Sequence, residues 1–116
     1  MAPSEIILVV APDESFRHSL QFALASDGFC VDTHRSIADA FASEHADAAT
    51  CAVVDDDAID NWKQAQEQFS RFARPVILLV SLFRTAPELP LVRPLIKPFL
   101  GEPLIEAVRS VVAGTL

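Results

Sequence analysis

The strongest indication of the fold is the stretch from Thr50 to Asp57, Thr-Cys-Ala-Val-Val-Asp-Asp-Asp. It is a short apolar run with β-branched valines that ends in three carboxylates. Short apolar runs bounded by polar residues are typical of strands that are buried on both faces, as in parallel sheets. In open α/β sheets the functional crevice lies outside the carboxyl ends of the strands. The run therefore predicts a central strand that delivers Asp55 to the functional edge of the sheet.

Two further apolar runs, Ile6–Val10 and Val76–Val80, predict strands of the same kind. Shorter strands are expected at 29–31 and at Leu95-Ile96. Between the strands, apolar residues recur at three and four positions, which is the spacing of an amphipathic helix. We expect helices that begin after Asp13 or Ser15, after Ser36, near Trp62 and near Glu102.

Strands that alternate with amphipathic helices predict one α/β domain over residues 1–116, with helices on both faces of a parallel sheet. Five strands with right-handed crossovers fit the flavodoxin-like, doubly wound order 2-1-3-4-5. The segment from Leu82 to Pro94 contains Pro87 and Pro90 as well as Pro94. Because an interior proline costs a helix about 3 kcal/mol, we expect the fourth helix, in this segment, to be shortened or irregular.

Composition excludes several classes of partner. The net charge is −7, with 16 acidic and 9 basic residues, so the surface repels nucleic acid and anionic lipid. No apolar run approaches the roughly 18 residues that span a bilayer. The N-terminus carries no basic region ahead of its apolar run, so it is not a signal peptide and a cytoplasmic location is expected.

Some residues are expected to be structural. Cys30 and Cys51 fall in strands two apart, farther than a disulfide reaches, so we expect two buried, reduced thiols. Arg17 and His18 are expected mostly on the outer face of the first helix. His18, His34 and His45 have no clustered partners in the sequence, and we expect them to be solvated.

Several positions together resemble a response regulator receiver domain along nearly the whole chain, and the first half looks most like receivers of the FixJ type. The features in question are Val9-Val10 before an acidic turn, Arg17 and Leu20, Gly28-Phe29, Asp55, Pro75-Val76-Ile77 and Lys97-Pro98-Phe99. By this resemblance, the phosphoacceptor aspartate falls on Asp55. The lysine that contacts the phosphoryl group falls on Lys97, and its bond to Pro98 is expected to be cis.

Other working parts of the family are missing by the same resemblance. The acidic pair that binds Mg²⁺ falls on Ala11 and Pro12, which have no side-chain oxygens. The hydroxyl that switches on phosphorylation falls on Val80, with Ser81 one position later, and the aromatic switch falls on Pro94. The chain is therefore similar to a degenerate receiver, or pseudo-receiver, that has lost much of its switch.

The remaining chemistry predicts weak or absent Mg²⁺ binding and no cofactor. Asp55 facing Lys97 alone would be nearly charge-balanced, so a metal ion would gain little there. Asp13, Glu14 and Asp56 are candidates for a displaced acidic pocket, although successive residues of a strand point to opposite sides. The alternatives are structural: Asp13 and Glu14 suit the first turn of a helix, and Asp57 suits the cap of helix three. For Asp55, phosphoacceptance and a structural ion pair with Lys97 both remain open.

Two functions follow. The first is an atypical receiver in two-component signalling that acts as a protein-interaction module, without enzymatic activity. Its partner would be a histidine kinase, another signalling protein or a second copy of the chain. The surface expected to bind is an apolar patch near strands four and five, at Phe83, Leu89, Leu91 and Val92. These residues could instead simply cover the open side of the sheet.

The second function is a working phosphorelay receiver that takes a phosphoryl group from a histidine kinase onto Asp55.

Overall fold

The structure is a computed structural model that describes residues 5–81, 89, 91–97 and 102–114. Its five strands are β1 (Ile6–Val10), β2 (Cys30–His34), β3 (Ala49–Asp55), β4 (Val76–Val80) and β5 (Val92–Ile96). Every pair of neighbouring strands is parallel, and the order across the sheet is β2-β1-β3-β4-β5. The predicted doubly wound, flavodoxin-like sheet of order 2-1-3-4-5 is confirmed.

The helices of the described residues are α1 (Glu14–Ser26), α2 (Ile37–Phe41), α3 (Trp62–Phe72) and α4 (Glu102–Val112). Short 3₁₀ turns, Ala46–Ala48 and Asp56–Ala58, lie before and after β3. The shortened helix expected between β4 and β5 falls largely on residues 82–88 and 90, which lie outside the described residues, as does Pro98 with its peptide bond. Within the described part of the chain, no helix combines the length and apolar character that crossing a membrane requires.

The sheet separates two apolar layers, because successive strand residues point to opposite faces. On one face, Ile7 and Val9 pack with side chains of α1 and α4, and on the other Leu8 and Val10 pack with α2 and α3. Their burial is complete, and a fully buried side chain of this size contributes about 1.5–3 kcal/mol. This two-sided burial explains the continuous apolar runs and holds the carboxyl ends of the strands in fixed positions.

The helix caps agree with the sequence at α1 and differ at α3. Asp13 caps α1, and its Oδ2 accepts a hydrogen bond of 2.8 Å from the backbone N–H of Phe16. The cap of α3 is Asn61, which accepts from the N–H of Gln64 at 3.1 Å. The expectation that Asp57 caps helix three is wrong, because Asp57 lies in a separate 3₁₀ turn that ends before α3 begins.

The cysteines differ in burial. Cys51 lies in the middle of the sheet, and burial raises the pKa of its thiol to about 12. Cys30 is exposed, contrary to the expectation of two buried thiols. The reason is its place as the first residue of β2, which is an edge strand of the sheet.

His34 and His45 have a partner that the sequence did not indicate. Asp32 Oδ2 lies 2.8 Å from His34 Nε2 and 3.5 Å from His45 Nδ1, and accepts a hydrogen bond of 2.7 Å from Ser43 Oγ. Burial alone would raise the pKa of Asp32, but the bonds from His34 and Ser43 outweigh it and lower that pKa. The expectation of solvated histidines holds for His18 and His45, which are exposed, and is wrong for His34, which is partly buried. The contacts of Asp32 with Ser43 and His45 join β2 to the segment after α2.

Ala73 ends α3 in a left-handed conformation, with φ 57° and ψ 25°, and its N–H donates to the Phe69 carbonyl at 3.0 Å. Residues with a Cβ pay a steric cost in this region, and glycine does not. We therefore expect Ala73→Gly to raise the free energy of unfolding by about 0.5–1 kcal/mol, after the larger unfolded-state entropy of glycine is subtracted. Urea denaturation measures the change. The control, Ala25→Gly at an exposed position of α1, should lower stability by about 0.5–1 kcal/mol, and a loss in both variants would contradict the account.

Candidate functional site

The carboxyl ends of β3 and β5 bring Asp55 and Lys97 together. Asp55 is the last residue of β3 and is 1% exposed, and Lys97 directly follows β5. The backbone N–H of Lys97 donates to the Val80 carbonyl at 2.8 Å, which fixes the start of its side chain against β4. Lys97 Nζ lies 2.6 Å from Asp55 Oδ1. The ammonium and the carboxylate form a direct, largely buried ion pair.

Asp56 also points into this site. Its Oδ1 lies 3.1 Å from Lys97 Nζ and accepts from Ser81 Oγ at 3.2 Å, and its Oδ2 accepts from the Ser81 N–H at 2.9 Å. The expectation that strand alternation would turn Asp56 to the opposite side is wrong. The chain leaves the extended conformation after Asp55 and enters a 3₁₀ turn at Asp56, so the alternation of side chains stops there. Asp56 is therefore 2% exposed and shares Lys97 with Asp55.

Asp57 completes an acidic cluster. One carboxylate oxygen from each of Asp55, Asp56 and Asp57 lies within 4.8 Å of the others. The Asp57 N–H approaches Asp55 Oδ1 at 3.5 Å, and its side chain is exposed. Two of these carboxylates contact the Lys97 ammonium and the third lies beside them, so the expectation of a nearly charge-balanced site is wrong, and the local charge is negative.

The pKa shifts follow the contacts. Burial raises the pKa of Asp55, against the opposing effect of Lys97. Burial also acts to raise the pKa of Asp56, but the hydrogen bonds from Ser81 and Lys97 outweigh it, so the pKa lies below its usual range. For Lys97, burial is outweighed by Asp55 and Asp56, which raise its pKa and keep it charged.

The end of β1 supplies no acidic side chain to the cluster. Ala11 is fully buried, Pro12 is exposed, and the guanidinium of Arg17 donates to their carbonyl oxygens at 2.9 and 3.3 Å. Arg17 is 8% exposed, so the expectation that it lies on the outer face of α1 is wrong. Its long side chain reaches back past the start of the helix, as helical side chains do. A cationic group therefore binds the carbonyl oxygens at the end of β1.

The residues present do not fit a magnesium site of the usual receiver kind. Mg²⁺ requires octahedral oxygen ligands and most often takes carboxylates and waters. Asp13 is engaged as a helix cap and Glu14 is exposed in the first turn, and neither belongs to the acidic cluster of the described residues. Within that cluster, the ammonium of Lys97 already contacts two of the carboxylates, and a metal ion would have to compete with it.

The two switch positions differ. Val80 is buried at the end of β4 and has no polar side-chain atom, whereas the Ser81 hydroxyl is bonded to Asp56. One neighbour of the site was missed in the sequence: the ring of Phe16 lies 5.6 Å from Lys97 Nζ, at cation–π distance. Its position in the first turn of α1, directly after β1, was the available signal.

Two exposed apolar side chains lie at the two ends of β5, Leu91 just before the strand and Ile96 as its last residue. Leu91 is 45% and Ile96 is 60% exposed, whereas Leu89 and Val92 are partly buried against the α2–α3 face of the core. Of the residues expected in an interaction patch, Phe83 lies outside the described residues. Ile96 was not among the residues expected in the patch, since the sequence placed it only at the end of the fifth strand. We name Leu91 and Ile96 the β5 patch.

Comparison with known proteins supports the same fold. No family model matches the chain. The chain is 34% identical over 116 residues to the transcriptional regulator protein FixT of Rhizobium meliloti, covering 98% of both chains. The chemotaxis protein CheY4 of Vibrio cholerae matches with a TM-score of 0.77 at 20% identity, covering 94% of this chain and 99% of that one. A response regulator receiver protein of Sinorhizobium medicae matches with a TM-score of 0.77 at 21% identity, covering 97% and 98%. The chain therefore belongs to the same family as the regulator FixT, and its fold is that of response regulator receiver domains.

Proposed function

We propose that this receiver domain regulates signalling mainly by binding a partner protein, with weak or no Mg²⁺-dependent phosphorylation. The observation that carries the proposal is the state of the site: Asp56 shares the ammonium of Lys97 with Asp55, and the end of β1 offers no carboxylate. The protein would act without enzymatic activity, as its FixT relative, a transcriptional regulator by name, also suggests.

The chemistry of phosphoryl transfer supports the proposal. Transfer to a carboxylate needs positive charge near the transferring oxygens, and Mg²⁺ usually supplies most of it. Here Lys97 is the cation in direct contact with Asp55, and its charge is divided between Asp55 and Asp56. A second cation would bind carboxylates that are already hydrogen-bonded. Little positive charge is left to stabilise an incoming phosphoryl group.

The proposed contact surface is the β5 patch. Exposed apolar side chains are typical of surfaces that bind proteins, and Leu91 and Ile96, at the two ends of β5, are the exposed large apolar residues described on this side. Receiver domains bind histidine kinases, so we propose that the partner is a histidine kinase or another protein of the same signalling system. A homodimer through the same surface is the other arrangement that this patch allows.

The contact between Asp55 and Lys97 supports a second candidate function. Asp55 and Lys97, on which the family's phosphoacceptor and phosphoryl-contacting lysine fall, remain in direct contact at 2.6 Å. This contact has the geometry that a phosphoacceptor site needs, and a structural ion pair would have the same geometry. The second candidate is therefore a receiver that accepts a phosphoryl group from a histidine kinase on Asp55, with a rebuilt metal site at the acidic cluster.

Binding measurements separate an interaction module from a phosphorylation-dependent one. Purified histidine kinases of the same organism would be screened by biolayer interferometry against the immobilised protein. For the kinase that binds, Asp55→Asn should change Kd by less than about twofold, and Leu91→Asp should weaken binding at least about tenfold, as truncating a buried contact residue does. Phe22→Asp, on the exposed face of α1, is the matched control and should bind like the wild type. Loss of binding in Asp55→Asn, or full binding in Leu91→Asp, would contradict the proposal.

A further inference from the structure

Three hydrogen-bond donors converge on one side chain at the carboxyl edge of the sheet. The Ser81 N–H, the Ser81 hydroxyl and the Lys97 ammonium approach the Asp56 carboxylate at 2.9, 3.2 and 3.1 Å. Asp56 itself is almost fully buried, at 2% exposure. Among the described residues, we name these three donors the donor cradle, and Asp56 is its occupant.

The donors of the cradle are fixed by the sheet. Ser81 directly follows β4 and Lys97 directly follows β5, and these neighbouring strands are held in register from Val76↔Val92 to Val80↔Ile96. The Lys97 N–H also donates to the Val80 carbonyl at 2.8 Å. The backbone that carries the cradle is therefore held at Val80 and Lys97 by bonds that do not involve Asp56.

The chemistry of the cradle selects small oxyanions. A backbone N–H, a hydroxyl and an ammonium, aimed at one point, form charge-assisted bonds to carboxylate or phosphate oxygens. Asp56 satisfies all three donors with its two oxygens, and these bonds also lower the pKa of its carboxyl. Asp56 therefore occupies the place that the cradle would otherwise offer to a free anion.

We propose that Asp56 is a built-in anion that fills an oxyanion site and holds Ser81 and Lys97 in the arrangement that a bound phosphate would impose. This inference rests on the proposed function and deepens it, because it names what keeps the site inactive toward phosphate. A phosphoryl group on Asp55 would need the same donors and would meet the Asp56 carboxylate as a competitor of like charge.

The test removes the occupant and offers inorganic phosphate. In Asp55→Asn/Asp56→Ala, the cradle loses its internal anion and one neighbouring charge. We expect phosphate to shift the Ser81 amide resonance in ¹H–¹⁵N spectra, saturating at about 1–10 mM, as suits a few charge-assisted bonds. The wild type should show no phosphate-dependent shift of that resonance up to the same concentration.

The matched control is Asp55→Asn/Asp57→Ala, which removes the same charge but leaves Asp56 in the cradle. It should not respond to phosphate. Asp55→Asn/Asp56→Asn is a second variant of nearly unchanged shape, for use if the alanine variant does not fold, and it should respond at higher phosphate concentration. An equal response in the control, or no response in a folded variant without Asp56, would overturn the proposal.

The outcomes distinguish this inference from the proposed function. If the variants fail to bind phosphate while the partner is bound independently of Asp55, the built-in anion is wrong and the interaction module stands. If the variants bind phosphate but binding of the partner depends on Asp55, the cradle is real and the proposed function is wrong.

Discussion

Lys97→Met is expected to lower the free energy of unfolding by about 3 kcal/mol at pH 7, because it removes the cation shared by two buried carboxylates. The side chains of Asp55 and Asp56 are 2% and 1% exposed, and Lys97 Nζ contacts both. Without it, Asp56 keeps the two donors of Ser81, and Asp55 keeps only the long approach of the Asp57 N–H among the hydrogen bonds described. The loss is thus an unpaired buried charge more than a lost contact. Urea denaturation of both proteins measures it.

The dependence of this loss on pH tests its cause. In wild type, the lowered pKa of Asp56 contributes stability that is present above the unfolded pKa and is lost as pH falls below about 4. In Lys97→Met, both carboxyl groups lose their counter-charge, so their pKa values rise and protonation relieves the repulsion as pH falls. The deficit should therefore shrink between pH 7 and pH 5.

Lys63→Met, at an exposed position of α3, is the matched control and should stay within about 0.5 kcal/mol of the wild type. A deficit that is equal at both pH values, or smaller than about 1 kcal/mol, would mean that Lys97 is not the shared counter-charge of these aspartates.

Restoring two carboxylates at the end of β1 should create a magnesium site. Val10 pairs with Val54 across the sheet, so Ala11 lies level with Asp55. In Ala11→Asp/Pro12→Asp, the added oxygens would join the acidic cluster, and ligand charge is a main determinant of divalent-ion affinity. We expect the Kd for Mg²⁺ to be above about 1 mM in the wild type and to fall at least about tenfold in the double variant. Isothermal titration calorimetry and the amide chemical shifts of residues 55–57 would measure this Kd.

Two further variants serve as controls for this experiment. Ala38→Asp/Pro103→Asp adds the same charge at exposed positions of α2 and α4 and should bind Mg²⁺ no better than the wild type. Pro12→Asp alone avoids the buried position of Ala11 and should show part of the gain. Sub-millimolar affinity in the wild type would show that Asp55, Asp56 and Asp57 already form a working metal site.

The sequence was sufficient for the sheet because its main signals are local. Continuous apolar runs such as Ile6–Val10 and Val76–Val80 arise from burial on both faces of the sheet. The rules for crossover connections then limit the direction and order of the strands. The pairing of Asp55 with Lys97 followed from the same rules together with the family resemblance, since both residues end strands at one edge of the sheet.

The details that failed depend on contacts between distant segments or on local changes of conformation. Asp56 was expected to point away because strand alternation was extended past Asp55, and the 3₁₀ turn that follows ends that alternation. Arg17 was assigned to the helix surface by periodicity, which takes no account of a long side chain reaching back to the end of β1. His34 is an exception, because its partner Asp32 lies two residues earlier on β2, where side chains two positions apart share a face.

The site around Asp55 is expected to take up little or no phosphoryl group under conditions in which a complete receiver is phosphorylated. The most direct measurement is incubation with a small-molecule phosphodonor and Mg²⁺, followed by intact-mass spectrometry of the wild type and Asp55→Asn. A receiver with a complete acidic pair, treated in the same buffer, shows that the donor is active. We expect little or no phosphate adduct on the wild type and none on Asp55→Asn. An adduct on the wild type as abundant as that on the complete receiver, and absent from Asp55→Asn, would contradict the proposal and establish Asp55 as a working phosphoacceptor.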